Sequence, residues 1–105
     1  MNRIFSLLSL FAFVIVSAQS QVVTTTNKKA IKLYESALHN IRINDNQGVI
    51  SDLHKAVEVA PEFLEAYVVL GDTYFGLDDH ENSIAAFETA MEKDPDFYPA
   101  ALYKV

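Results

Sequence analysis

The chain has no cysteine. That excludes disulfides, thiolate metal sites, a cysteine nucleophile and a lipid-modified N-terminal cysteine. Basic residues are few: eight lysines and arginines stand against fourteen aspartates and glutamates, for a net charge of -6. Binding to nucleic acid draws on counterion release at phosphates, which needs basic contacts that an acidic chain does not supply. Glycine is scarce and forms no phosphate-cradling loop, and the serines and threonines sit in no nucleophile elbow. The three histidines, His39, His54 and His80, fall on different helical stretches with no ligand partner at i, i+4, so no zinc site is expected. Asp78-Asp79 followed by Glu81 lacks the spaced ligands and closing glutamate of a calcium loop. It reads as an acidic first turn favoured by the helix dipole. The expectation is a chain without a catalytic residue, a metal or a cofactor.

What is present begins with an apolar run. Residues 1–18 read as a secretory signal peptide: Arg3 and the amino terminus supply positive charge, and the apolar stretch that follows is broken only by serines. Val16-Ser17-Ala18 offers small residues for cleavage, with Ala18-Gln19-Ser20 as a second candidate. As a helix this run would extend about 20 Å, short of the roughly 30 Å hydrocarbon core, so no membrane span is expected after cleavage. Residues 19–29 carry β-branched side chains without helical periodicity and read as an extended tether, in which Thr26 or Asn27 could cap a first helix.

From there the apolar residues recur at helical spacing. Helices are expected at about 28–42, 47–60, 63–75 and 80–93, with the start of a fifth from Tyr98, and no strand. The first link, Ile43-Asn44-Asp45-Asn46-Gln47-Gly48, is dense in turn formers, and Gly76-Leu77-Asp78-Asp79 fills the third. Pro61 and Pro95 stop the second and fourth helices. Shifting the sequence by 34 aligns Ile50 with Ile84, Leu53 with Phe87, Ala56 with Ala90, Glu58 with Glu92, Pro61 with Pro95, Phe63 with Phe97 and Ala66 with Ala100. One fixed offset with this many like pairs is the mark of a repeat array.

Residues 64–97 resemble a tetratricopeptide repeat. Tyr67, the pair Leu70-Gly71, Tyr74, Ser83, Phe87, Ala90 and Pro95 fall at the positions by which that repeat is recognised. Asp78 stands where glycine is usual, and aspartate tolerates left-handed backbone. Residues 30–63 form a more divergent copy: Leu33 and Ala37 fit, while Ser36 and Asn40 stand where Leu and Tyr belong, which suits a terminal repeat whose outer face meets water. Residues 98–105 read as the start of a third repeat or a capping helix. The implied fold is all-α, with antiparallel helical hairpins stacked as an α-solenoid. Because such arrays generally need about three units, the chain is expected to be the N-terminal part of a longer protein.

The resemblance also implies a function. In such arrays the first helix of each repeat lines a concave groove that receives peptides or partner helices. Carried over by position, the groove comprises Tyr34, Leu38 and Ile41, then Val68, Asp72 and Phe75. The Lys, Asn and Arg of the subgroup that clamps terminal carboxylates are absent, so an apolar ligand is the alternative, unless these side chains are covered by further repeats or by the tether. From Val49 onward, twelve acids face only Lys55, Lys93 and Lys104. That reads as a solvated face, or as attraction to a basic partner. The expected role is a protein or peptide partner's scaffold, with self-association through the C-terminal face as a further possibility. An export signal without a lipid-attachment cysteine resembles that of a Gram-negative periplasmic protein. Many such proteins continue into OmpA-like or other downstream domains, so the alternative role is the recognition arm of a longer secreted or envelope protein or enzyme.

Overall fold

The computed structural model describes residues 23–97. The expected signal peptide, the beginning of the tether and the start of a third repeat lie outside the described residues. Four α-helices follow one another: α1 (Lys28–Arg42), α2 (Asn46–Val59), α3 (Leu64–Gly76) and α4 (His80–Lys93), with no strand among the described residues. Helix α1 packs on α2 and α3 on α4, as two antiparallel hairpins, and α2 packs on α3 to join them. The fold is an all-α helical repeat.

Local chemistry sets the helix ends. Asn27 Oδ1 accepts from Ala30 N at 2.9 Å and starts α1, as an Asn cap should. Asp45 Oδ1 accepts from Gly48 N at 3.0 Å and Asp79 Oδ1 from Asn82 N at 3.2 Å, starting α2 and α4. The residues just before those caps, Asn44 and Asp78, both have φ of 60°. This left-handed backbone suits short polar side chains that hydrogen-bond locally. The main chain around them repeats as well: Asp45 N donates to Asn40 O at 2.9 Å, and Asp79 N donates to Tyr74 O at 2.9 Å. The two hairpin links are therefore one turn built twice. Gly76 ends α3 without a positive φ, and Asp78, the aspartate standing where glycine is usual, takes the left-handed backbone.

One apolar cluster runs through both hairpins. Ala30 and Ala37 of α1, Val49, Leu53 and Ala56 of α2, Ala60, Phe63, and Ala66 and Leu70 of α3 are all buried in it. A second cluster, of Val68, Phe87 and Ala90, lies between α3 and α4. There Gly71 permits the close approach: a Cβ on it would sit 2.5 Å from Phe87 Cε1. Beside this contact Ser83 Oγ donates to Gly71 O at 2.8 Å, which satisfies a buried hydroxyl.

The hairpins differ on one face. Leu70, Tyr74 and Ala86 of the second pack against the first hairpin's core. Their counterparts in the first hairpin are Ser36, Asn40 and Asp52. Ser36 Oγ donates to Asp52 Oδ2 at 2.6 Å and Asn40 Nδ2 donates to the same oxygen at 3.0 Å. The face that would receive a preceding hairpin is thus hydrogen-bonded to itself. At the other end α4 leaves Ile84 56% exposed, where its counterpart Ile50 packs on the core.

Gly71→Ala should lower stability by about 1–3 kcal/mol, as overpacking does; thermal unfolding followed by circular dichroism checks this. The triple change Ser36→Leu, Asn40→Tyr and Asp52→Ala restores the apolar trio of the second hairpin. Its mass by sedimentation should rise with concentration more steeply than that of the parent, because a new apolar end can meet the open α4 face of another copy.

Candidate functional site

The six residues expected to line a front groove lie on α1 and α3, and their surroundings are unequal. Tyr34 is half-buried, with its ring 4.9 Å from that of Phe63 and tilted by 44°. Burial, and then the charge of Glu65, push its phenol up. Tyr34 and Leu38 line a hollow of about 530 Å³ with Val23, Thr25, Thr26, Ile31 and Glu35. Ile41 and Asp72 line another, of about 490 Å³, with Asn46, Val69, Thr73 and Gly76.

Val68 and Phe75 are placed otherwise. Val68 is only 8% exposed and packs in the cluster with Phe87 and Ala90, so it offers little surface. Its neighbour Val69 is the valine that borders the second hollow. Phe75 is 61% exposed, with its ring edge-on to that of His80 at 5.4 Å. The structure thus pairs Tyr34 with Leu38 and Ile41 with Asp72, and sets Val68 and Phe75 apart from both pairs.

Two features were read only in part from the sequence. The first is a row of exposed apolar side chains along the hairpin links: Ile41 and Ile43 on one, Phe75 and Leu77 on the next. The 34-residue shift maps each onto its partner, so the signal was available. The second is the docking of the tether. Thr24 N donates to Glu65 Oε1 at 3.0 Å, and Thr24 Oγ1 lies 2.7 Å from the same oxygen. Thr24 Oγ1 also accepts from Leu64 N at 2.8 Å, and Thr25 Oγ1 donates to Glu62 Oε2. These contacts cross about forty residues with no periodicity to announce them.

Other polar side chains link neighbouring helices or cap them. His54 Nε2 and the Tyr74 hydroxyl are 2.9 Å apart, bridging α2 and α3. Lys93 Nζ stands 5.7 Å above the Tyr67 ring, a cation–π distance. Hydrogen bonds from the Asn82 side chain and main chain hold the Asp79 carboxyl below its usual range. Among the described residues no three His, Asp or Glu side chains are grouped to hold a metal ion. No described helix is long and apolar enough to cross a membrane. The geometry offers shallow, partly apolar recesses on a helical front, which suits binding of a chain segment.

Comparison with known proteins agrees with this architecture. The chain is 30% identical over 63 residues to tetratricopeptide repeat protein 17 of Rattus norvegicus, and 29% identical over 63 residues to that of Homo sapiens. The match takes in 60% of this chain and 5% of each relative, so the chain spans about a twentieth of their length. Residues 64–97 match the family model of the tetratricopeptide repeat, which places α3 and α4 in one such repeat.

Proposed function

We propose that the chain is a non-catalytic scaffold that binds a peptide or a partner protein through the front of α1 and α3, in the cell envelope. A tetratricopeptide repeat is in general a protein-interaction unit, and the match at residues 64–97 brings that role to this chain. The observation that carries the reading is the pair of front hollows, with Leu38 and Tyr34 in one and Ile41 and Asp72 in the other. Exposed apolar side chains beside a carboxylate favour an extended segment with apolar anchors and a basic residue. Location in the envelope is supported by the apolar N-terminal run and the small residues that follow it.

A second reading is favoured by the length of the relatives, of which this chain spans 5%. In it these helices are the recognition arm of a longer protein whose activity resides downstream.

Peptides selected on the full chain by phage display should lose about tenfold or more in affinity on Leu38→Glu or Ile41→Glu, the range of a central anchor. They should keep their affinity on Ile84→Glu, which lies on the α4 face. Selected peptides that bind Ile41→Glu and Leu38→Glu as well as the parent would defeat the front-face reading. For location, the mature protein recovered from a periplasmic extract should begin at Gln19 or Gln21. An intact Met1 on the mature protein would count against export.

A further inference from the structure

We propose that residues 23–26 form a releasable strap, hinged at the α1 cap Asn27, which walls the hollow on α1 and is held closed by the side chains of Glu62 and Glu65. Three of the four helices are capped by an Asn or Asp of their own: Asn27, Asp45 and Asp79. At α3 the cap position holds Phe63, which makes no side-chain cap. Its ring is fully buried in the cluster between the hairpins and is not free for that task. The missing acceptor comes from Thr24, whose Oγ1 receives the Leu64 N–H at 2.8 Å.

The other strap bonds converge on the same short region. Thr24 N and Oγ1 both reach Glu65 Oε1, at 3.0 and 2.7 Å, and Thr24 Oγ1 is 3.2 Å from the Glu62 carbonyl. Thr25, itself buried, donates to the Glu62 carboxylate, and Asn27 Nδ2 reaches Val59 O at 3.4 Å. Val23, Thr25 and Thr26 then border the hollow over Ile31, Tyr34, Glu35 and Leu38. Most of these bonds are solvent-exposed, so each stabilises modestly and the segment can open without the helices. A segment of this kind closes part of the recess that a ligand would use.

The charges around the grip set its pH dependence. Glu62 faces the Thr25 hydroxyl, Lys93 and Tyr67; Glu65 faces Thr24 and Tyr34. The Thr25 hydrogen bond, first, holds the Glu62 carboxyl below its usual range. A lowered carboxylate contributes stability that is complete above its ordinary range and is lost as pH falls through the lowered value. Acidification through that lowered value therefore weakens the Thr25–Glu62 grip.

The test uses the full chain with Thr24→Val and Thr25→Val together, with amide exchange followed by NMR at neutral pH and the Tyr34 phenol followed in an alkaline titration. Amide exchange at Leu64 should quicken about fivefold or more, the loss of one cap. The Tyr34 phenol should titrate at lower pH than in the parent, because its cover is gone, while the Leu53 and Phe87 amides keep their protection. Glu65→Gln, which retains both threonines, should quicken Leu64 exchange in the same direction but less. Faster exchange at Leu64 with Tyr34 unmoved would mean that Thr24 is a helix cap and nothing more. Loss of protection throughout the helices would mean that residues 23–26 are a fixed part of the fold. No change at either probe would remove the strap altogether. Each of these three results overturns the proposal.

Discussion

The burial of Phe63 between the two hairpins is the constraint on which the rest depends. A helical hairpin can cover only one of its own faces, and the uncovered apolar side must meet a neighbour. Phe63 is fully buried and its ring lies against Tyr34 of α1, so it fastens the start of α3 to the first helix of the preceding hairpin. Burying an aromatic ring of this size contributes roughly 1.5–3 kcal/mol. That demand displaces the polar residue that would ordinarily begin a helix. The tether's hydroxyls and the two glutamates beside Phe63 then follow as the means by which the exposed main-chain donors are satisfied.

Much of this architecture was legible because a repeat states its geometry twice. The expected 28–42 and 80–93 coincide with α1 and α4, and α2 and α3 begin and end within one residue of expectation. The links were legible as turns from Asn44-Asp45 and Asp78-Asp79. Asp78, read as an aspartate that tolerates left-handed backbone, does take it; the matching role of Asn44 was not read, although the 34-residue shift pairs the two. Ser36 and Asn40 were legible as departures from the repeat pattern, and in the structure both donate to Asp52.

The site was less legible. Placing residues on the front by counting assumes that one face of α3 is free, but α3 is apolar nearly all round and buries Val68 against Phe87 while Val69 borders the recess. Adjacent valines cannot be told apart by counting. Cover of the front by the tether was one of the expected alternatives, but the groups it lies upon were not legible, because Thr24 and Thr25 find their long-range partners at Glu62, Leu64 and Glu65. Periodicity reports which face of a helix is buried; it does not report what a non-helical segment lies upon.

The turn built twice has a bearing on chemical ageing. Asn44 and Asp78 hold the same left-handed backbone at corresponding places in the two links. Hydrolysis of the Asn44 side-chain amide would leave an aspartate there, which is the residue the second link already uses. The first link would keep its shape and gain one negative charge. Only the isoaspartyl product, which lengthens the main chain by one atom, would break the bond from Asp45 N to Asn40 O that closes the link. Damage at this position is thus sorted by its chemistry: one product is tolerated by a conformation the molecule has already adopted elsewhere, and the other is not.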